Sequence, residues 1–196
     1  MNNEYISEPE GSPEDEKKEF DIVSELYDWS QALIVALISI MLIFTLFARL
    51  ISVEGRSMIP TLHGGDKILL SNLLYEPKCG DVIVVTMKDF QHKPLQPIVK
   101  RVVATSGQTV DINFSMGSVT VDGVVLDEPY INERTSRRAD VDFPVTVPEG
   151  CIFVMGDNRN ESLDSRSTQV GMVDKRAVLG HVLFRAYPFD DMKVIK

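Results

Sequence analysis

Residues 32–48 read ALIVALISIMLIFTLFA, and this stretch decides how the rest of the chain is read. It carries no charge, and only Ser39 and Thr45 are polar. A helix that is apolar on every side has no face to turn to water. With Trp29, Gln31 and the Arg49-Leu50-Ile51 extension it reaches about 20 residues, roughly 30 Å as a helix and enough to cross a bilayer. Tyr27 and Trp29 suit one interface, and Arg49 can snorkel at the other. The alternative is the buried core helix of a soluble protein. A cleavable leader fits poorly, because the preceding segment is long and acidic and no small-x-small site follows. The sequence therefore predicts one transmembrane signal-anchor helix over residues 29–52. Lys17 and Lys18 precede it and Arg49 and Arg56 follow it, so charge alone does not orient it.

Upstream, residues 1–28 hold ten acidic side chains and two basic ones, −8 of the formal −9 carried by all 196 residues. Polar, acidic and punctuated by Pro9, Gly11 and Pro13, this tail lacks the apolar surface that ordering requires, and disorder is expected over most of it. The low isoelectric point thus describes the tail. No basic patch or stripe points to nucleic acid. Cys79 and Cys151 form no C-x-x-C or Cys/His cluster, which leaves no metal or redox motif. They read either as two free thiols or as a disulfide.

Downstream, the pattern changes to short β-like runs at residues 67–70, 82–86, 98–104, 109–112, 118–126, 143–147, 151–155 and 178–187. Turn signals separate them, among them Gly64-Gly65, residues 77–80, Gly107, residues 148–150 and 156–158. Asp122-Gly123 between Val-rich runs reads as a tight hairpin. The expected fold is mainly β: one N-terminal transmembrane helix, then an antiparallel β domain over residues 53–196.

Four segments carry candidate chemistry. Residues 55–62, GRSMIPTL, place Ser57 beside a proline-constrained turn. Residues 80–84, GDVIV, turn into a strand. Lys100 sits in an apolar strand, after Ile98-Val99 and before Val102-Val103. Burial there disfavours the ammonium form and lowers the pKa, which suits a base able to take a proton from a serine hydroxyl. Read alone, the simpler reading makes Lys100 a solvated edge-strand lysine and Ser57 an ordinary serine. The fourth segment, residues 156–166, is GDNRNESLDSR, longer and more polar than a turn requires. His63, His92 and His181 offer no obvious partner for Ser57. Ile59 replaces the second glycine of G-x-S-x-G, and H-E-x-x-H is absent.

In order, behind an anchor, these segments resemble the bacterial type I signal peptidases. The residues that carry the likeness are S-M-x-P-T at 57–61, G-D-V-I-V at 80–84, K-R-V at 100–102 and G-D-N-R-x-x-S-x-D-S-R at 156–166. D-G-V-V-L-D-E-P-Y at 122–130 and V-P-E-G at 147–150 add to it. The resemblance implies a barrel-like antiparallel β catalytic domain and a membrane-bound serine endopeptidase working through a Ser-Lys dyad without cofactor or metal. Ser57 would be the nucleophile, Lys100 the general base, and Ser162 the residue that orients Lys100. Arg101, Asp157, Asp164 and Arg166 would brace the site, and the Ser57 backbone N–H would donate to the oxyanion. Gly55 stands where many relatives have a serine that adds a second oxyanion donor, which leaves the contribution of the Gly55 region open. Smaller departures are Ala104, Gln108, Cys79 and Cys151. The implied substrates are exported preproteins cut after A-x-A-like sites, with the lipid bilayer and the protein translocation machinery as partners. The tail would be cytoplasmic and the β domain extracytoplasmic at the cell membrane. Two rivals are a related Ser-Lys protease with another substrate and a catalytically inactive membrane-anchored binding module.

Overall fold

The structure, a computed structural model, describes residues 22–86 and 96–195. The acidic residues before 22 and residues 87–95, which include His92, lie outside them. The chain divides into two compact units, with the boundary between Met41 and Leu42.

Helix α1 spans Ile22–Phe47. It contains no Gly or Pro, and its polar Ser30 and Ser39 are absorbed by back-bonding to Tyr27 O and Val35 O at 2.7 Å. Residues 22–42 are exposed all round, and the span Ile22–Leu42 is long and apolar enough to cross a membrane. The helix starts earlier than the apolar run alone suggests. It also stops at Phe47, so Arg49, Leu50 and Ile51 do not extend it. They lie in strand β1 (Ala48–Ser52), whose backbone pairs with β2 (Lys67–Ser71) in unbroken antiparallel register from Ala48↔Ser71 to Ser52↔Lys67. Pairing with β2 satisfies the backbone groups on the inner edge of β1, while its outer edge has no neighbouring strand among the described residues.

The remaining strands are β3 (Val82–Val85), β4 (Ile98–Thr105), β5 (Thr109–Asn113), β6 (Ser118–Val121), β7 (Val124–Val125), β8 (Val145–Thr146), β9 (Cys151–Met155), β10 (Val173–Asp174), β11 (Val178–Tyr187) and β12 (Lys193–Val194). Every pairing is antiparallel. The larger sheet runs β1-β2-β11-β3-β4-β9-β10, with β12 on β11, and curls into a half-barrel. The smaller runs β7-β6-β5-β8. Between β6 and β7, Asp122 and Gly123 both have positive φ (52° and 80°), the backbone of the tight hairpin turn the D-G pair demands.

β3 and the centre of β4 are buried on both faces, which is why they read as continuous apolar runs instead of alternating ones. One apolar cluster is central to the site. In it Met58 and Leu62, from the loop at 53–66, pack with Val82, Val84 and Val99. A flat sheet would separate β1 from β4 by four inter-strand steps, ~19 Å. The loop crosses that distance with its neck tied by Val53 N–H to Asp66 O (2.8 Å) and Gly65 N–H to Val53 O (2.9 Å). Its buried side chains fasten it beside the middle of β4. Ser57 is thereby carried to Lys100.

Candidate active site

Lys100 pairs with Ile83 in the β3–β4 ladder and is only 2% exposed. Ser57 is half-buried, so the hydroxyl is reachable from outside while the amine is not. Lys100 Nζ donates to Ser57 Oγ at 2.7 Å. Burial, opposed by the Asp164 and Asp157 carboxylates and helped by the Arg166 charge, brings the lysine pKa from 10.5 down to about 8. A cation with no solvent and no direct ion pair loses its proton more readily than one in water. When the proton leaves, the same contact reverses, and Ser57 O–H becomes the donor to a neutral amine.

Two buried carboxylates lie close to this pair without bonding it, because each is already taken. Arg101 grips Asp157 with both arms, Nε to Oδ1 at 2.8 Å and Nη2 to Oδ2 at 2.7 Å, while its Nη1 donates to Gly80 O at 2.7 Å. The guanidinium stacks 3.9 Å from the Tyr130 ring centroid. Thr61 Oγ1, from the nucleophile loop, donates to Asp157 Oδ2 at 2.5 Å. Asp157 thus joins β4 to the loop that holds Ser57. Asp164 receives Arg166 Nε and Nη2, both at 2.8 Å, and Gly156 N–H at 3.0 Å. Burial alone would raise its pKa, but the Arg166 bonds and charge hold it below the ordinary carboxylate value. Bidentate Arg–carboxylate pairs of this kind are rigid, and breaking one inside a protein leaves an uncompensated charge.

Ser162 is buried beside the Asp164 carboxylate, and no hydrogen bond joins its Oγ to Lys100. It packs against Gly156. A Cβ added at Gly156 would stand 2.3 Å from Ser162 Oγ and 2.4 Å from Ser57 O, so only glycine lets the 156–166 segment press against Ser57. Gly55 has φ of 80°, which favours glycine, and the space beside it is open. Neither His63, which is exposed, nor His181, which stacks on Tyr75 at 4.3 Å, hydrogen-bonds Ser57. The cysteines are free thiols, Cys79 exposed and Cys151 partly buried. Among the described residues no group of His, Cys, Asp and Glu is arranged to hold a metal.

Other braces went unread in the sequence. Arg185, 1% exposed, ties Asp66 (Nη1 to Oδ2, 2.9 Å) to Asp191, and Asp66 in turn accepts His63 N–H at 2.9 Å. That triad fixes the far end of the nucleophile loop. Arg159 is fully buried on Glu128, with Nη2 to Oε1 at 2.6 Å. Arg185 lies 119 positions from Asp66 and no local pattern marks it; Arg159 and Glu128 fall within the motifs at 156–166 and 122–130, but neither motif shows that they pair across 31 positions.

A half-buried serine hydroxyl bonded to a desolvated lysine amine has the parts for acyl transfer by an activated serine. The model of the family described as signal peptidase, peptidase S26, matches residues 26–187. The chain is 34% identical over 188 residues to a signal peptidase I of Bacillus licheniformis, covering 91% of this chain and 97% of that one. It is 38% identical over 166 residues to a probable signal peptidase I-1 of Synechocystis, covering 79% and 81%. A crystal structure of a signal peptidase I from Enterococcus faecalis is similar at 30% identity and a TM-score of 0.42, over 55% of this chain and 97% of that one. The chain belongs to the peptidase S26 signal peptidase family.

Proposed function

We propose that Ser57 and Lys100 form the catalytic dyad of a type I signal peptidase, a serine endopeptidase that removes N-terminal signal peptides from exported preproteins. The observation that carries this reading is the 2.7 Å contact between Ser57 Oγ and the amine of a lysine buried to 2% exposure. Neutral Lys100 takes the Ser57 proton as Oγ attacks the scissile carbonyl, and returns it to the leaving amine. The acyl-enzyme is then hydrolysed by a water that Lys100 deprotonates. Ser57 N–H donates to the oxyanion, with the Gly55 region beside it. Ser162 Oγ serves as the acceptor that orients the Lys100 amine. Arg101, Asp157, Asp164 and Arg166 hold the two halves of the site together.

The preprotein binds extended. The outer edge of β1 is the end of the larger sheet and runs straight into the nucleophile loop, so its unpaired backbone groups can bond a substrate main chain. Cleavage follows the second small residue of an A-x-A-like site. Helix α1 anchors the chain in the lipid bilayer with residues 1–28 in the cytoplasm and residues 53–196 outside. Enzyme and membrane-tethered substrate then share a surface, which raises their effective concentration. The translocation machinery is a natural neighbour. An inactive binding module, the rival from another class, gains no support from a site in which serine and lysine are bonded. Mass spectrometry of an exported preprotein incubated with the chain in detergent tests the proposal. A single cut after the second small residue, lost in Ser57→Ala, is expected; an intact preprotein, or cutting that survives Ser57→Ala, overturns it.

A further inference from the structure

For Ser57 N–H to meet an oxyanion it must be aimed, and the dyad does not aim it. That N–H is one end of the Arg56–Ser57 peptide, whose other end is the Arg56 carbonyl. The peptide is trans, so the two groups point in opposite directions. Whatever holds the carbonyl therefore sets the direction of the N–H.

The carbonyl is held twice. Ile59 N–H donates to Arg56 O at 3.3 Å, closing the turn, and Asn158 Nδ2 donates to it at 3.0 Å. Asn158 also donates its backbone N–H to Ser57 O at 3.0 Å, which fixes the next peptide. One residue thus holds both peptide planes that flank the nucleophile. Asn158 is 3% exposed and follows Asp157, itself locked by Arg101. Its amide cannot be turned over, because that would set Oδ1 against Arg56 O. In the observed orientation Asn158 Oδ1 is buried with no hydrogen-bond partner. Nδ2 also donates to Glu161 Oε2 at 3.3 Å, so the amide is held in this orientation through its donors. Ser57 N–H, on the opposite side, makes no hydrogen bond among the described residues.

We infer that Asn158 is a positioning residue for the oxyanion site: by bonding Arg56 O it turns Ser57 N–H toward the oxygen that becomes negative as Ser57 attacks. The bond at the carbonyl end also polarises the amide and strengthens its N–H as a donor. This rests on the reading of Ser57 as the acylating nucleophile.

Asn158→Ala and Asn158→Asp test it, assayed as full chains in detergent on the same preprotein as the parent. Aspartate keeps the shape of asparagine, but its carboxylate cannot donate and repels Arg56 O. Losing an oxyanion donor outright costs about 10²–10³ in kcat, and losing only its alignment should cost about 10–100-fold. The expected result is that fall in kcat in both variants, with KM within about twofold of the parent. In Asn158→Ala the midpoint of the pH–rate profile should not move, because Lys100 is untouched. Affinity for a peptide aldehyde, whose hemiacetal oxygen occupies the oxyanion position, should fall in proportion to kcat. Affinity for an uncleavable peptide of the same sequence should hold. The inference is overturned by an unchanged kcat, by a loss that appears in KM or in uncleavable-peptide affinity, by a moved pH midpoint in Asn158→Ala, or by failure of both variants to fold. A parent that cuts nothing overturns the proposed function itself, which separates the two failures.

Discussion

Lys100 carries the strongest conflict between stability and chemistry in the molecule. Its amine titrates near 8 in the folded chain against 10.5 when exposed. Below about pH 8 both states hold the proton, and the folded state bears the full cost of the buried cation, on the order of 3 kcal/mol from the difference in pKa. Between about pH 8 and 10.5 the unfolded chain binds more protons, so stability rises with pH, and above that range the cost is gone. Lys100→Met keeps the length and removes the charge. It should raise the melting temperature by several degrees near pH 7, with the gain shrinking as pH approaches 10, while abolishing cleavage. Melting curves of parent and variant at the two pH values check this, and a variant no more stable than the parent near pH 7 contradicts it. The sequence made Lys100 visible only through its apolar neighbours. Whether its side chain pointed inward or to solvent depends on strands β3 and β9 beside it, which a linear pattern does not reveal.

The elements that matter most are the loop at 53–66 and the segment at 156–166, which meet face to face. At Gly156 there is no room between them for a side chain. Gly156→Ala would drive a methyl into Ser57 O and Ser162 Oγ, at 2.4 and 2.3 Å. Since Ser57 O is backbone, the nucleophile loop itself must shift. We expect a loss of about 1–3 kcal/mol in unfolding free energy and of about 10²-fold or more in kcat/KM, read by denaturant titration and by rate. A near-parental rate in Gly156→Ala would show that the contact does not position Ser57. The motifs at 57–61 and 156–166 were legible as sites because they combine constrained turns with more polar residues than a connection needs. Their braces were legible only in part. Arg101–Asp157 and Asp164–Arg166 fall inside the motifs, whereas Arg185–Asp66 joins residues far apart in sequence. Strand β1 was hidden because it continues the apolar run, and β10 and β12 have only two residues each, too short to show a period.

At the scale of the whole molecule, the sequence divides into an apolar helix and a β domain because the two bury surface by different means. The helix satisfies its backbone internally and over residues 22–42 exposes apolar side chains on all sides, while the β domain folds its apolar runs into three clusters of its own. The eight predicted runs all contain strands, since alternation and turn chemistry are local signals. The sheet order, which places β11 between β2 and β3, is not local and could not be read. Sidedness is open to a direct check through the two free thiols. Cys79 is exposed, although burial of the thiol group raises its pKa and slows its reaction. A membrane-impermeant maleimide applied to intact cells should label the chain, and Cys79→Ser should remove most of the label. Labelling only after the membrane is opened would place the β domain inside the cell.

The central claim is that a buried lysine, and no histidine, activates Ser57. The rate of preprotein cleavage from about pH 6 to pH 10, for the parent and for Lys100→Ala, tests it most directly. The parent's kcat/KM should rise about tenfold per pH unit at low pH, bend near 8 and level off above it, while Lys100→Ala stays at the uncatalysed background throughout. A parent profile that is flat across this range, or cleavage that persists in Lys100→Ala, would contradict the account.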